Sequence, residues 1–293
     1  TAAYASGVWD GKQAGYAVIG GVNHAGMWSG TSSSWVDLHP SGAAASYVTG
    51  ISIFKQSGYI QTSGGYYHAG FWSGTNYSWV DLAPSGSTNS QALCVSGSYQ
   101  GGFAAVAVDS RYVCHASVWT STKASWVDLS PATAGTGSSF VYGIYNHQQV
   151  GLAYVNGLPN HAGLWNGTAA SWVDLNPSWA DDSVAFGTCG IQQVGWAANF
   201  GSYTHAGIWS GSAESWEDLS AYLPNGVYGN SCAQSIYSSG GNTYVVGYAV
   251  RLDTGTTEAI MWSPIAAPEP SGILAMLGGL GGLVALKRRR RSI

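Results

Sequence analysis

Charge is what this 293-residue sequence lacks most. Asp, Glu, Lys and Arg together make up 8% of it, against about 25% in ordinary soluble domains. A disordered, highly charged chain is excluded, and with 45% hydrophobic residues a core is within reach. Basic residues are scarcer still over most of the chain. Five of the ten lie in the last seven positions, so residues 1–267 hold five bases against thirteen acids, a net of −8. An acidic body excludes the positive footprint that nucleic-acid binding requires. The four cysteines, Cys94, Cys114, Cys189 and Cys232, fall in no metal-type spacing. A zinc site is therefore not expected; disulfides are allowed if the protein is exported, but their pairing is not legible. No stretch before residue 270 has a 3.6-residue apolar period, so helices are not expected there. Gly-rich phosphate loops, GxSxG nucleophile elbows and calcium-loop spacings are absent too. The reading is of no catalytic residue, no metal and no cofactor. The first residue is Thr1, which leads to the expectation of a processed form or a fragment.

What fills the sequence instead is glycine (42), tyrosine (18) and tryptophan (14), arranged in a repeat. "HAGMWSGTSSSWVDLHPSG" at His24 returns at His68 as "HAGFWSGTNYSWVDLAPSG", and further copies start at His115, His161 and His205. A degenerate sixth, "EAIMW", begins at Glu258, where neither the histidine nor a WVDL tail is present. Upstream of four copies lies a Q-x-G-aromatic or Q-x-G-aliphatic run, as in "QAGY", "QSGY", "QVGL" and "QVGW". Each unit thus reads as four short extended runs separated by Gly, Ser, Pro and Asn. Four strands about every 45 residues predict an all-β, six-bladed β-propeller over residues 1–263, with a β-solenoid as the rival. The sixth unit lacks a fourth strand. Either that strand lies upstream of Thr1, the favoured expectation, or the last blade has three.

Period-2 alternation puts His24, Gly26 and Trp28 on one strand face, and Trp35 and Asp37 on one face of the next strand. The glycine leaves room for a large ring, and Asp37 is placed to accept a hydrogen bond from His24 in a buried setting. The same holds for His68 with Asp81, His115 with Asp128, His161 with Asp174 and His205 with Asp218. Equivalent blades point in different directions, so these histidines cannot converge on one metal. They read as structural glue.

The order Gly-Ile strand, Q-x-G-x strand, H-A-x-x-W and D-L, as in "TGISIFKQSGYIQTSGGYYHAGFWSGTNYSWVDL", resembles the extracellular HAF-type repeats over residues 4–262. The sequence departs from them where Gly26, Gly70, Gly163 and Gly207 replace the usual phenylalanine. That resemblance implies a secreted repeat protein and no particular activity.

A ligand of a propeller binds its loops. The second-to-third-strand loops and the blade-to-blade connections share one face. There the sequence puts Tyr66, Tyr67, Asp109, Arg111, Tyr112, Trp179, Asp181, Asp182, Tyr203, Arg251 and Asp253. Exposed aromatics with a few charges suit a polysaccharide or a partner protein, and ordinary variable loops are the plain alternative.

The C-terminus closes with "APEPSGILAMLGGLGGLVALKRRRRSI". A linker over residues 264–271 leads into a hydrophobic helix expected over residues 272–293. Its fifteen uncharged positions from Gly272 to Leu286 are short for a membrane span, and the basic residues that follow can snorkel and extend it. The basic run places the C-terminus in the cytoplasm and the body outside. Pro268-Glu269-Pro270, the apolar span and the arginine cluster closely resemble the bacterial PEP-CTERM sorting signal. By that resemblance an exosortase-type processing enzyme reads the three residues and removes the tail. The protein is then exported, membrane-anchored through this helix in transit, and finally at the cell surface or extracellular. The expected role is a non-catalytic binding or structural module, with a secreted glycan-acting propeller enzyme as the alternative.

Overall fold

A glycine-flanked run of four short β segments has no helix to fold against, so each repeat closes on itself as one antiparallel sheet. The computed structural model describes residues 2–155 and 159–263 of the chain. Their regular structure is β, apart from short 3₁₀ turns. Five sheets have four strands in sequence order and the sixth has three. Sheet 1 comprises Ala3–Trp9, Lys12–Ile19, Val22–Trp28 and Val36–Asp37; sheet 2 comprises Ala45–Ser52, Lys55–Gln61, Tyr67–Trp72 and Val80–Asp81. Sheets 3, 4 and 5 repeat the plan from Ser90, Ser139 and Asp182. Sheet 6 holds Tyr228–Ser239, Asn242–Arg251 and Thr257–Trp262. No helix among the described residues is long and apolar enough to cross a membrane. The linker and the hydrophobic helix expected over residues 264–293 lie outside the described residues.

The fourth strand is only two residues long because a side chain, rather than a longer ladder, anchors it. In sheet 4, Gly163 pairs with Asp174, and the indole of Trp172 lies flat over Gly163. A Cβ on Gly163 would stand 1.6 Å from that ring, so only glycine admits it. Trp172 also meets Trp165 with ring centroids 4.6 Å apart. The same Trp–Trp contact recurs in sheets 1, 2 and 5 at 4.5 to 4.6 Å. Sheet 3 solves the position differently. There Ser117 replaces the glycine, and Trp126 Nε1 donates to its Oγ at 2.9 Å.

A half-turn of 3₁₀ helix leads into each short strand, and a serine locks it. Ser171 Oγ, for example, accepts from Asn166 N–H at 2.8 Å and donates to Thr168 C=O at 2.6 Å. A glutamine of the second strand clamps the same turn from below. Gln149 Oε1 accepts the Gly167 N–H at 2.8 Å, and Gln13, Gln56, Gln100 and Gln193 repeat that bond at 2.9 Å. The Q-x-G motif is therefore a turn clamp.

Consecutive sheets pack face to face, each third strand against the first strand of the next sheet. At all five junctions a fully buried serine accepts a hydrogen bond from a buried alanine N–H. The pairs are Ser46–Ala25, Ser90–Ala69, Ser139–Ala116, Ser183–Ala162 and Ser231–Ala206, at 2.8 to 3.0 Å. Around each serine lies an apolar cluster. Between sheets 4 and 5 it contains Val150, Ala162, Leu164, Leu175, Ala185 and Trp209. Burying side chains of this size stabilises by roughly 1.5–3 kcal/mol each.

The array is propeller-like, but the closed ring expected from six repeats is not seen among the described residues. Sheet 6 and sheet 1 lack the packing that joins every consecutive pair. A physical reason is legible at the junction. Ala3 occupies the position of the five junction serines, so the hydroxyl that stitches sheet to sheet is missing there. Among the described residues no strand of the N-terminal segment joins sheet 6, which has three strands there.

Replacing Gly163 with alanine should drive the Trp172 ring out and cost about 1–3 kcal/mol. Ser117→Gly should cost only the hydrogen bond, about 0.5–1.5 kcal/mol. Chemical denaturation of the two variants checks the difference, and Gly163→Ala with Trp172→Ala should recover part of the loss.

Candidate functional site

The loop end of the array carries the histidines and aspartates of the repeat, and each pair forms within its own sheet. The His Nδ1–H donates to Asp Oδ2 at 2.9 Å for His24–Asp37 and 3.0 Å for His68–Asp81. The distance is 2.7 Å for His115–Asp128 and His161–Asp174, and 2.8 Å for His205–Asp218. The other carboxylate oxygen has a second task. Oδ1 accepts the backbone N–H two residues on, at 2.8 Å in all five sheets, which turns the chain toward the next sheet. The expected burial is only partial: the aspartate side chains are 35 to 42% exposed. They sit at the rim because their turn faces solvent. Among the described residues no three His, Cys, Asp or Glu side chains gather as a metal-ligand set.

The eleven loop residues singled out from the sequence divide into separate groups. Tyr66 and Tyr67 belong to the hairpin of sheet 2, where Tyr66 is exposed and the Tyr67 N–H donates to Asn89 Oδ1 at 2.9 Å. Asp109 lies in the tight turn of sheet 3, with φ of +46° there and +68° at Ser110. Arg111 donates from Nη2 to Thr136 Oγ1 at 3.3 Å, and Tyr112 projects outward. These five residues belong to sheets 2 and 3, whereas the other six lie in sheets 5 and 6 and the connection that leads into sheet 5.

A second group converges where sheets 4, 5 and 6 adjoin. Trp179 stands over His205 and Trp216, with ring centroids 6.2 and 6.1 Å away. Asp181 Oδ2 accepts the Phe200 N–H at 2.9 Å, bridging two loops. Asp182 opens sheet 5, and burial raises its carboxyl pKa. Tyr203 borders a cavity of about 140 Å³ together with His205, Ser220, Leu223, Asn225 and Tyr228. On the far side, Tyr228 donates to Glu258, which also lies 3.7 Å from Arg251 Nη1. Arg251 grips Asp253 through two bonds of 2.8 and 2.6 Å. That guanidinium holds the Asp253 carboxyl down to about 2. Arg251 thus faces two carboxylates, Asp253 and Glu258, and the rim they form is net negative.

Sequence reasoning missed Ser220 and Tyr228 as parts of this cavity, and Glu258 as the partner of Tyr228. One signal was present, since Glu258 replaces the repeat histidine and so marks the unit that departs from the pattern. It also missed a tyrosine cluster spanning sheets 1 and 2. Tyr4 stacks on Tyr16 at 4.9 Å, Tyr16 meets Tyr47 at 5.2 Å, Tyr47 stacks on Tyr59 at 4.8 Å, and Tyr59 meets Tyr67 at 5.5 Å. Burial, with Tyr47, Tyr67 and Tyr16 close by, pushes the Tyr59 phenol up to about 12. The final tyrosines of "QAGY" and "QSGY" supply two of the five rings. The four cysteines are free thiols, and burial raises Cys94 to about 12.

No family model and no curated protein matches this sequence. Solved structures do match by shape. A prolyl endopeptidase superimposes with a TM-score of 0.52 at 10% identity, over 92% of this chain and 42% of that one. A puromycin hydrolase gives 0.40 at 10% identity, covering 90% of this chain and 54% of that one. TolB from Acinetobacter baumannii gives 0.37 at 9% identity, covering 88% and 65%. The chain therefore spans less than two thirds of each of these proteins. At such identities the likeness to the endopeptidase establishes a shared fold and transfers no site residue. It nonetheless corrects one expectation. The expectation of a non-catalytic chain does not stand, because the chain shares its fold with a solved structure of an enzyme, the endopeptidase. The missing motifs excluded particular chemistries and never the whole class, since side chains distant in sequence converge only in the fold.

His39 provides a pH test of this rim. Burial lowers its pKa, and the neighbouring His24, stacked at 4.0 Å, lowers it further. The folded state therefore binds its proton less readily than the unfolded state. Stability from this site is present above the unfolded value and is lost as pH falls. His39→Ala, which copies Ala83 of sheet 2, should shrink the drop in melting midpoint between about pH 7.5 and about pH 5.5.

Proposed function

We propose that this chain is an exported bacterial surface or extracellular-matrix protein whose body is a six-bladed propeller displaying a ligand-binding loop face. The observation that carries the export reading is the C-terminal order of Pro268-Glu269-Pro270, fifteen uncharged positions and a basic cluster. An exosortase-type enzyme reads the Pro-Glu-Pro motif while the hydrophobic segment holds the protein in the membrane. The HAF-type repeat pattern supports an extracellular destination independently. Mass spectrometry of the mature protein from an exosortase-bearing host should show loss of the residues after the motif. A mature mass that retains residues 271–293 would sink the sorting reading, and Glu269→Ala should block the cleavage.

The ligand proposed is an extracellular polysaccharide held at the junction of sheets 4, 5 and 6. Support comes from the cavity beside Tyr203 and Tyr228, with Trp179 at its approach and the Arg251–Asp253 pair on its far side. Aromatic rings cover the apolar faces of sugars, while Ser220 and Asn225 offer hydrogen bonds. Binding to a panel of bacterial polysaccharides should weaken on the order of tenfold with Tyr203→Ala, the loss of one good contact. Unchanged binding would place the ligand elsewhere. Release of reducing ends in the same assay would assign the protein an enzymatic role on that glycan.

A further inference from the structure

Opposite the histidine rim, the hairpins between first and second strands are tied tip to tip. Ser52 Oγ accepts the Gly97 N–H at 3.2 Å, and Ser96 Oγ accepts the Asn146 N–H at 3.1 Å. Gln148 Nε2 donates to the Gly190 carbonyl at 2.8 Å, and Thr243 Oγ1 donates to Gln192 Oε1 at 2.9 Å. The tips of sheets 2 to 6 thus form one continuous surface. At this end stand the three most exposed large apolar side chains among the described residues: Tyr77 at 93%, Phe54 at 81% and Ile191 at 73%. Ile53, next to Phe54, is 51% exposed. All four belong to sheets 2 and 5, each of which is packed between two neighbours, so their exposure does not come from an end of the series.

The backbone at Ile53 makes this exposure costly. Ile53 is the first of two residues linking Ala45–Ser52 to Lys55–Gln61, and its φ is +28°. Two-residue hairpins favour glycine, asparagine or aspartate at such a position, because a β-branched side chain crowds the backbone there. The matching turns of sheets 1, 3 and 4 follow that rule with Asp10-Gly11, Gly97-Ser98 and Asn146-His147. Sheet 2 instead holds an isoleucine and a phenylalanine out in water on a strained turn, the kind of local strain that marks functional sites.

Charge divides between the two ends of the array. All three lysines of residues 1–267, Lys12, Lys55 and Lys123, stand at the hairpin end, where Asp10 and Glu214 are the acids. The rim end carries ten of the thirteen acids of those residues against Arg111 and Arg251. The hairpin end is therefore near neutral and the rim end strongly negative.

We propose that the hairpin end docks on an anionic phospholipid bilayer, seating Ile53, Phe54, Tyr77 and Ile191 at the level of the headgroups and upper acyl chains. Burial of apolar and aromatic side chains drives the contact, and the lysines add attraction to the lipid charge. Repulsion turns the acidic rim outward, where the cavity beside Tyr203 stays open to its ligand. Convex tips set apart along one surface suit a fluid bilayer, into which each side chain sinks by itself. A protein partner would need a matching hollow for each. The docking rests on the membrane-held export reading. The third strand of sheet 6 runs toward the hairpin end and finishes at Trp262, so the sequence leading to the apolar residues 272–286 departs from that side.

The experiment uses the full chain, labelled with para-fluorophenylalanine and held in nanodiscs of phosphatidylethanolamine and phosphatidylglycerol. Phe54 and Phe200 report on opposite ends, since Phe200 is 70% exposed in a loop of the rim. Each fluorine resonance is assigned by its disappearance on substitution with leucine. A nitroxide carried on the lipid acyl chains should broaden Phe54 several-fold and leave Phe200 sharp, and a water-soluble paramagnetic reagent should do the reverse. Ile53→Gly with Ile191→Ser keeps Phe54 as reporter and should reduce its broadening by lipid, while the melting midpoint rises as the strained turn relaxes. Disc-bound chain whose Phe54 stays open to the aqueous reagent overturns the docking alone, as does Phe200 facing the lipid or unchanged broadening in the double variant. Chain that does not enter the discs at all overturns the docking and the membrane-held reading together.

Discussion

Every sheet in this chain is apolar on both faces, so none is complete without a neighbour, and the architecture follows from that incompleteness. The buried serine at each junction states the constraint most sharply. Ser183, for instance, satisfies the N–H of Ala162 in a place where water does not reach. An unpaired donor there would cost on the order of 1–3 kcal/mol. The serine thus selects one register between sheets while the surrounding Val, Leu and Trp side chains supply most of the stabilisation. Sheet 1 carries Ala3 at the position of these serines.

Within a sheet the same economy of residues holds. One glycine, one tryptophan and one aspartate organise the outer edge. The glycine admits the indole, the indole fastens a strand of two residues, and the aspartate ties that strand to the histidine while turning the chain. The repeat looks like a reaction centre because buried hydrogen-bonding and catalysis draw on the same side chains. Its five histidines are instead distributed one to a sheet, each satisfied by its own carboxylate.

Departures from the repeat are where ligand chemistry collects. Units 5 and 6 break the pattern with a longer connection through Leu219–Tyr222, with Glu258 in place of histidine, and without a fourth strand. The cavity beside Tyr203 and the Arg251–Asp253 rim both lie in that irregular region.

The sequence by itself determined the unit: all-β character, the number of sheets, the strand faces, the His–Asp partners and the glycine beneath the indole. Each of those depends on residues close in the chain, where period-2 alternation dictates which side chains share a face. Only the tertiary structure decided what depends on how sheets stand relative to one another. The tyrosines of "QAGY" and "QSGY" became one cluster with Tyr4 and Tyr47, and eleven loop residues separated into distinct groups. Tyr228 and Glu258, thirty residues apart, came to share a hydrogen bond beside the Tyr203 cavity. The exposure of Ile53, Phe54 and Ile191 was likewise beyond reach of the pattern, which treats every copy alike. A repeat specifies what each face needs; how far a given copy is covered depends on the packing of whole sheets.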